Sequence, residues 1–159
     1  MNAVTTGQEQ NGDDSCWGYQ LIIDCFGCSE EVCCDLNHGY EFLDQICAHL
    51  QMTKQTQPYI FKTCDRTFPG RPGYSGWVPI IESGIQIHTS ANNRFVSVDV
   101  YSCKKFDARE VEGFVRQWFD PKALQIQFFH RGADLLRRSF PEGREAPGLP
   151  QEATLAEAG

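Results

Sequence analysis

Two hydrophobic periods divide the chain. Residues 19–26 are an apolar run of strand length, and residues 59–61, Tyr-Ile-Phe, suggest a second strand. Between them Leu36, Tyr40, Leu43, Cys47 and Leu50 fall at helical spacing, which predicts an amphipathic helix over 35–50. Residues 65–74 contain Pro69, Gly70, Pro72 and Gly73 and read as a loop. Strands then follow closely at 77–81, 85–89 and 94–101. In the last, Phe95, Ser97, Asp99 and Tyr101 alternate with Val96, Val98 and Val100, the period-two pattern of a sheet with two different faces. Asp107 opens a further helix, with Glu110 as a capping-box partner and Val111, Phe114, Val115 and Trp118 as its apolar stripe. Residues 124–129 close with another strand. Strands clustered between two helices predict an α+β fold, an antiparallel sheet with helices on one face. The other sheet face must then meet solvent, a ligand or a second subunit.

The 159 residues suffice for one domain with a real core. Residues 1–15 are polar, rich in Gly, Asn, Gln and Asp, and 141–159 are rich in Pro, Glu, Ala and Gly. Both are expected to be disordered tails around a folded domain at 16–140. No run approaches the ~18 apolar residues of a membrane span, and the polar start lacks the apolar core of a secretion signal. A net charge of −7 argues against a nucleic-acid partner, which calls for a basic face, and suits a cationic small molecule. With no secretion signal, the eight cysteines read as reduced cytoplasmic thiols rather than a disulfide scaffold. Cys25-x-x-Cys28 and Cys33-Cys34 raise zinc, but adjacent cysteines do not easily face one metal, so small, partly buried thiols and no metal are expected. His38, His49 and His130 read as polar surface or interface residues, and Trp77 and Trp118 as core or interface aromatics. Asp24 and Asp99 suit either a cationic substrate end or backbone donors.

Candidate chemistry centres on Glu82-Ser83, which stands between two strand-like runs with Ser75 upstream and His88 and Cys103 downstream. A serine hydroxyl can attack the preceding carbonyl to form an ester, and elimination then yields dehydroalanine, which hydrolyses to a pyruvoyl group and ammonia. That sequence requires a strained or hydrogen-bonded peptide, an oxyanion donor and a base. Gly84 permits unusual backbone angles beside Ser83, and His88 and Ser75 are candidates for the base and its hydrogen bond.

Ser75-Gly76, Glu82-Ser83, Ile87-His88-Thr89 and Val98-Asp99-Val100-Tyr101-Ser102-Cys103 keep a distinctive order without a gap. On these motifs the chain resembles the bacterial and archaeal S-adenosylmethionine decarboxylase proenzymes, over about residues 18–132, with Gly18, Leu21 and Cys28 matching around the first strand. The resemblance implies a two-layer α/β sandwich that pairs sheet-on-sheet as a four-layer αββα homodimer of cleaved protomers. It implies cleavage between Glu82 and Ser83, with Ser83 becoming the pyruvoyl cofactor and forming a Schiff base with the substrate amine. Ser75 and His88 would assist processing, and Cys103 would protonate the product carbanion. The family continues His-Thr-Trp-Pro-Glu, where this chain reads His88-Thr89-Ser90-Ala91-Asn92. Asn92 thus replaces the glutamate that holds the ribose hydroxyls. Gapless alignment puts Pro69 at the adenine-stacking position, with Phe68 adjacent. The expected function is an S-adenosylmethionine decarboxylase of polyamine biosynthesis. Asn92 keeps open a pyruvoyl-dependent L-arginine or L-ornithine decarboxylase, or a non-catalytic regulatory paralogue.

Overall fold

The computed structural model describes residues 16–63, 66 and 68–132. The expected tails at 1–15 and 141–159, residues 133–140 and Cys64 lie outside the described residues. The strands are β1 (Gly18–Phe26), β2 (Tyr59–Lys62), β3 (Tyr74–Ile80), β4 (Ser83–Ser90), β5 (Phe95–Ser102) and β6 (Ala123–Arg131). The helices are α1 (Glu30–Cys34), α2 (Leu36–His49) and α3 (Ala108–Phe119). The strands form one sheet in the order β2-β3-β4-β5-β1-β6, with every neighbouring pair antiparallel. The first strand among the described residues, β1, is therefore threaded between β5 and β6, and the α+β expectation holds.

Alternation decides which residues enter the core. Leu21, Ile23 and Cys25 of β1, Ile85 and Ile87 of β4, and Val96, Val98 and Val100 of β5 are buried on one face. Helix α2 lies against β2, β3 and β4 and α3 against β1, closing that face. The Asp35 carboxylate caps α2 by accepting from the Asn37 and His38 N–H groups, and Phe42, Leu43, Ile46 and Cys47 form its buried stripe. Asp107 likewise caps α3 by accepting from the Arg109 N–H at 2.8 Å. Glu110, expected as the capping-box partner, lies instead 3.4 Å from Nε2 of His49 on α2. The two helices meet through Phe42, whose ring centroid is 4.8 Å from that of Phe119. Helix α1 spans 5 residues, too short for periodicity to reveal, and the Ser29 hydroxyl caps it.

The opposite face carries Ser75 and Trp77 of β3, Gln86 and His88 of β4, Ser97 and Asp99 of β5, and Ile22 and Asp24 of β1. No helix among the described residues covers it. Phe26, Tyr59, Phe61, Trp77 and Phe129 all stand exposed on this face. Trp77 is therefore not a core residue, and it stacks with Tyr59 across the β2–β3 edge.

Cys25, Cys28, Cys33 and Cys47 are buried, whereas Cys34 and Cys103 are exposed and all the described cysteines are free. Burial pushes the Cys33 and Cys47 thiols up to about 11. Cys25 donates to Cys28, which raises Cys25 and lowers Cys28. Among the described residues no group of three or more His, Cys, Asp or Glu is placed to hold a metal ion. Likewise, no helix among them is long and apolar enough to cross a membrane.

Gly39 marks the tightest contact between α2 and the sheet. A Cβ there would overlap the fully buried ring of Tyr74, whose hydroxyl donates to the Val32 carbonyl at 3.2 Å. Gly39→Ala gains ~1 kcal/mol of helix propensity, but displacing a packed ring costs ~1–3 kcal/mol. The variant is expected to melt several degrees below the wild type in thermal unfolding. A higher melting temperature would show that Tyr74 can move aside.

Candidate active site

Strands β3 and β4 form a hairpin in which Ile80 pairs with Ser83, leaving Ile81 and Glu82 as a two-residue turn. Tight hairpins favour turns with positive φ at the turn residues, because only those match strand twist. Here neither Ile81 nor Glu82 has positive φ, and the deviation falls on Ser83, at φ 146°. A non-glycine residue held there carries ~1–3 kcal/mol of strain. Its surroundings hold it in place. The Ile81 N–H donates to the Thr53 carbonyl at 2.8 Å, and the Gln55 N–H donates to the Pro79 carbonyl at 3.0 Å. The Glu82 carboxylate accepts from the Thr53 N–H at 3.1 Å through Oε2.

The carbonyl of Glu82, the group a Ser83 hydroxyl would attack, accepts a 2.8 Å hydrogen bond from the backbone N–H of Cys103. That donor is aimed by the turn after β5. Ser102, fully buried, donates its hydroxyl to the Lys104 carbonyl at 2.8 Å and accepts from the Lys104 N–H at 2.9 Å. A donor fixed on the carbonyl before reaction needs no reorganisation when negative charge builds on that oxygen. The strained serine, the polarised carbonyl and the exposed Cys103 thus meet at one end of the sheet.

Ser75 and His88 are cross-strand partners on the open face, with Ser75 Oγ and His88 Nδ1 2.8 Å apart. They are not beside Ser83. His88 stands five residues along β4 from Ser83, about 16 Å at the rise of a strand. Phe68 and Asn92 lie further still in that direction. The Asn92 amide donates to the Gly70 carbonyl, and the Ala91 N–H donates to the Pro72 carbonyl at 3.0 Å, tying the loop of Phe68 to the β4–β5 turn. The candidate residues of this chain therefore fall into two separate groups. Ser83 and Cys103 occupy one end of the sheet, while Ser75 and His88 lie towards the other with Phe68 and Asn92 beyond them.

Between the two ends a shallow cavity of about 250 Å³ opens on the uncovered face, lined among others by Phe61, Trp77, Ser75, His88, Ser97 and Asp99. The Cys103 N–H, the Thr53 N–H and the Trp77 wall escaped the sequence reading. Backbone donors leave no trace in residue type. Trp77 did leave one, an aromatic at the same strand parity as Ser75, which marks the polar face.

The protein-family profile described as S-adenosylmethionine decarboxylase matches residues 19–132. An S-adenosylmethionine decarboxylase proenzyme of Clostridium botulinum is 30% identical over 116 residues, covering 72% of this chain and 94% of that one. One from Pyrococcus furiosus is 29% identical over 119 residues, covering 74% and 80%. The crystal structure of the adenosylmethionine decarboxylase from Aquifex aeolicus superposes with a TM-score of 0.63 at 20% identity, covering 83% of this chain and 98% of that one, which shows a shared fold. With its matched span running from β1 to the end of β6, this chain belongs to the S-adenosylmethionine decarboxylase family.

Proposed function

We propose that the chain is the precursor of a pyruvoyl-dependent S-adenosylmethionine decarboxylase of polyamine biosynthesis, with its catalytic domain at 16–140. The observation that carries this reading is the Cys103 N–H held 2.8 Å from the Glu82 carbonyl, next to a serine at φ 146°. Ser83 Oγ attacks that carbonyl, the C–N bond breaks, and residues 82 and 83 are joined through an ester. Removal of the Ser83 α-proton expels the Glu82 carboxylate and leaves dehydroalanine. Tautomerisation and hydrolysis by one water then release ammonia and leave the pyruvoyl group on the second fragment. The strained backbone fits this group, since the reaction relieves the strain at the residue it converts. Once formed, the pyruvoyl carbonyl supplies an electrophile for the substrate amine and an electron sink for decarboxylation. The Cys103 thiol lies on the same turn and supplies the proton that replaces carbon dioxide.

The 16 Å gap estimated from strand rise excludes hydrogen bonding between His88 and Ser83 of one protomer. It supports a site completed by a second copy, whose Ser75–His88 pair faces this protomer's Ser83. A two-fold dimer packed through the open sheet faces brings opposite ends together and buries the exposed aromatics. The free buried thiols support a cytoplasmic setting. The first test is a denaturing gel with mass spectrometry of purified protein. Two fragments, residues 1–82 and 83–159 with the second blocked at its N-terminus, are expected, and a chain that stays whole on long incubation overturns the proposal.

One observation favours a second substrate class. The Asn92 amide is spent on Gly70, and no carboxylate stands at that position for ribose hydroxyls. An L-arginine or L-ornithine decarboxylase would use the same Ser83 chemistry without a nucleoside. Asn92→Glu supplies a charged acceptor, and charge-assisted hydrogen bonds contribute ~1.5–3 kcal/mol. For a nucleoside substrate KM should fall about tenfold, the equivalent of ~1.4 kcal/mol. An unchanged KM for S-adenosylmethionine beside turnover of ornithine or arginine would favour the amino acid.

A further inference from the structure

Thr89 stands on the core side of β4, in line with Ile85 and Ile87, and is buried there although it is polar. Its hydroxyl donates to the Cys33 carbonyl at 2.7 Å and accepts from the Tyr74 N–H at 2.9 Å. The Tyr74 hydroxyl takes the neighbouring Val32 carbonyl. Carbonyls in the last turn of a helix lack intrahelical partners, so two side chains from the end of the β3–β4 pair close the end of α1. Helix α1 is in turn fixed to the start of β5. The Cys33 thiol donates to the Phe95 carbonyl at 3.7 Å. The Cys28 N–H donates to the Arg94 carbonyl at 2.9 Å, and Arg94 Nε donates back to the Cys28 carbonyl at 2.8 Å.

Tyr74 precedes Ser75, and Thr89 follows His88. Ser75 and His88 are the last registered pair of the β3–β4 ladder at that end, and their side chains meet on the open face. Directly behind them, on the core side, the Thr89 side chain holds the Tyr74 backbone. We infer that Thr89 is a positioning residue for the Ser75–His88 pair: by tying the two strands together behind the pair, and to α1, it sets the separation at which His88 Nδ1 meets Ser75 Oγ. Valine matches threonine in shape but not in the hydroxyl. In its place the Tyr74 N–H and the Cys33 carbonyl would be buried and unpaired, so the strand ends must move to satisfy them. The contact in front tolerates little of that movement, since hydrogen bonds weaken steeply away from their preferred geometry. A displacement of ~1 Å can lower a rate ~100-fold. The inference rests on the reading in which this pair assists cleavage at Ser83, but half of its test does not depend on cleavage.

Cleavage of the freshly translated full-length chain is timed on a denaturing gel. Thr89→Val should cut about tenfold more slowly than the wild type, and Thr89→Ser, which keeps the hydroxyl, should recover most of the rate. Val115→Ala opens a cavity on α3, which lies against β1, and so lowers stability away from the pair. It should cut as fast as the wild type. The second readout uses the Ser83→Ala chain, which lacks the nucleophile, and follows the nitrogen NMR resonance of His88 Nδ1 at fixed pH. Thr89→Val should move that resonance towards its position in Ser75→Ala, and Thr89→Ser should leave it in place. If Thr89→Val does not fold, Tyr74→Phe removes only the bond to Val32 and should move both readouts the same way by a smaller amount; unmoved readouts there overturn the inference. Equal slowing in Thr89→Val and Val115→Ala, or an unmoved Nδ1 resonance in Thr89→Val, overturns it even when the wild type cleaves. A wild type that never cleaves while Nδ1 responds as described sinks the processing reading and leaves Thr89 as the residue that positions the pair.

Discussion

Ser83→Ala remains a single chain on a denaturing gel and releases no carbon dioxide from any amine. On the proposed mechanism the expected loss is complete, because the hydroxyl removed is both the nucleophile that cuts the backbone and the leaving oxygen whose elimination turns the α-carbon of residue 83 into the ketone. Ser83→Gly should be equally inert but more stable than Ser83→Ala. Both lack the hydroxyl, yet only glycine adopts φ 146° without strain, a difference of ~1–3 kcal/mol. Chemical denaturation of the two uncut variants measures it directly. Cleavage or turnover in either variant would remove Ser83 from the reaction. Equal stability would mean that the turn relaxes around residue 83 and that strain plays no part in breaking the bond.

The second large effect concerns pairing. Alone, Ser83→Ala cannot cut and His88→Ala should cut very slowly. Co-expressed with different tags, the His88→Ala chain should be rescued, because in the proposed dimer its intact Ser83 meets the intact His88 of the Ser83→Ala chain. With random pairing, half the chains carry His88→Ala and half of those sit in mixed dimers, so about a quarter of all chains should be cleaved. The tag identifies which quarter, since only His88→Ala chains retain the serine. Absence of cleavage in the mixture would place the processing histidine in the same chain as the serine it serves. That would require β4 to bend far from the extended form seen between Ser83 and Ser90. Cleavage of His88→Ala on its own would remove the histidine from processing altogether.

Much of this was legible in the chain itself. The alternation of residues 95–101 assigned two faces to β5 correctly, since period two leaves no other arrangement once Val96, Val98 and Val100 are buried. Helices α2 and α3 followed from their stripes and from Asp35 and Asp107 at their starts. The order of Ser75, Ser83, His88 and Cys103 singled out the candidate residues, but order along a chain carries no distance. Proximity in sequence suggested that His88 serves the Ser83 beside it, whereas an extended strand moves five residues about 16 Å apart. The threading of β1 between β5 and β6 was equally hidden, because strand order depends on long-range pairing that local pattern does not encode. The aromatic surface of Tyr59, Phe61 and Trp77 became visible only when β2 and β3 were paired in register.

That threading bears on when the cut can happen. A break after Glu82 assigns β1, β2 and β3 to the first fragment and β4, β5 and β6 to the second. In the sheet order the two fragments interleave, meeting at the β3–β4, β5–β1 and β1–β6 seams. Neither piece owns a contiguous sheet, so neither has a core to fold around before the other arrives. The bond must survive until the whole domain has assembled, and only the assembled domain twists Ser83 and polarises Glu82. Once cut, the fragments stay clasped like the fingers of two hands, yet the two-residue tether that brought β3 to β4 is gone. Refolding then becomes an encounter between separate chains. On the proposed reading the molecule is thus a fold of single use, which makes its own cofactor once and, after unfolding, must reassemble from two separate pieces.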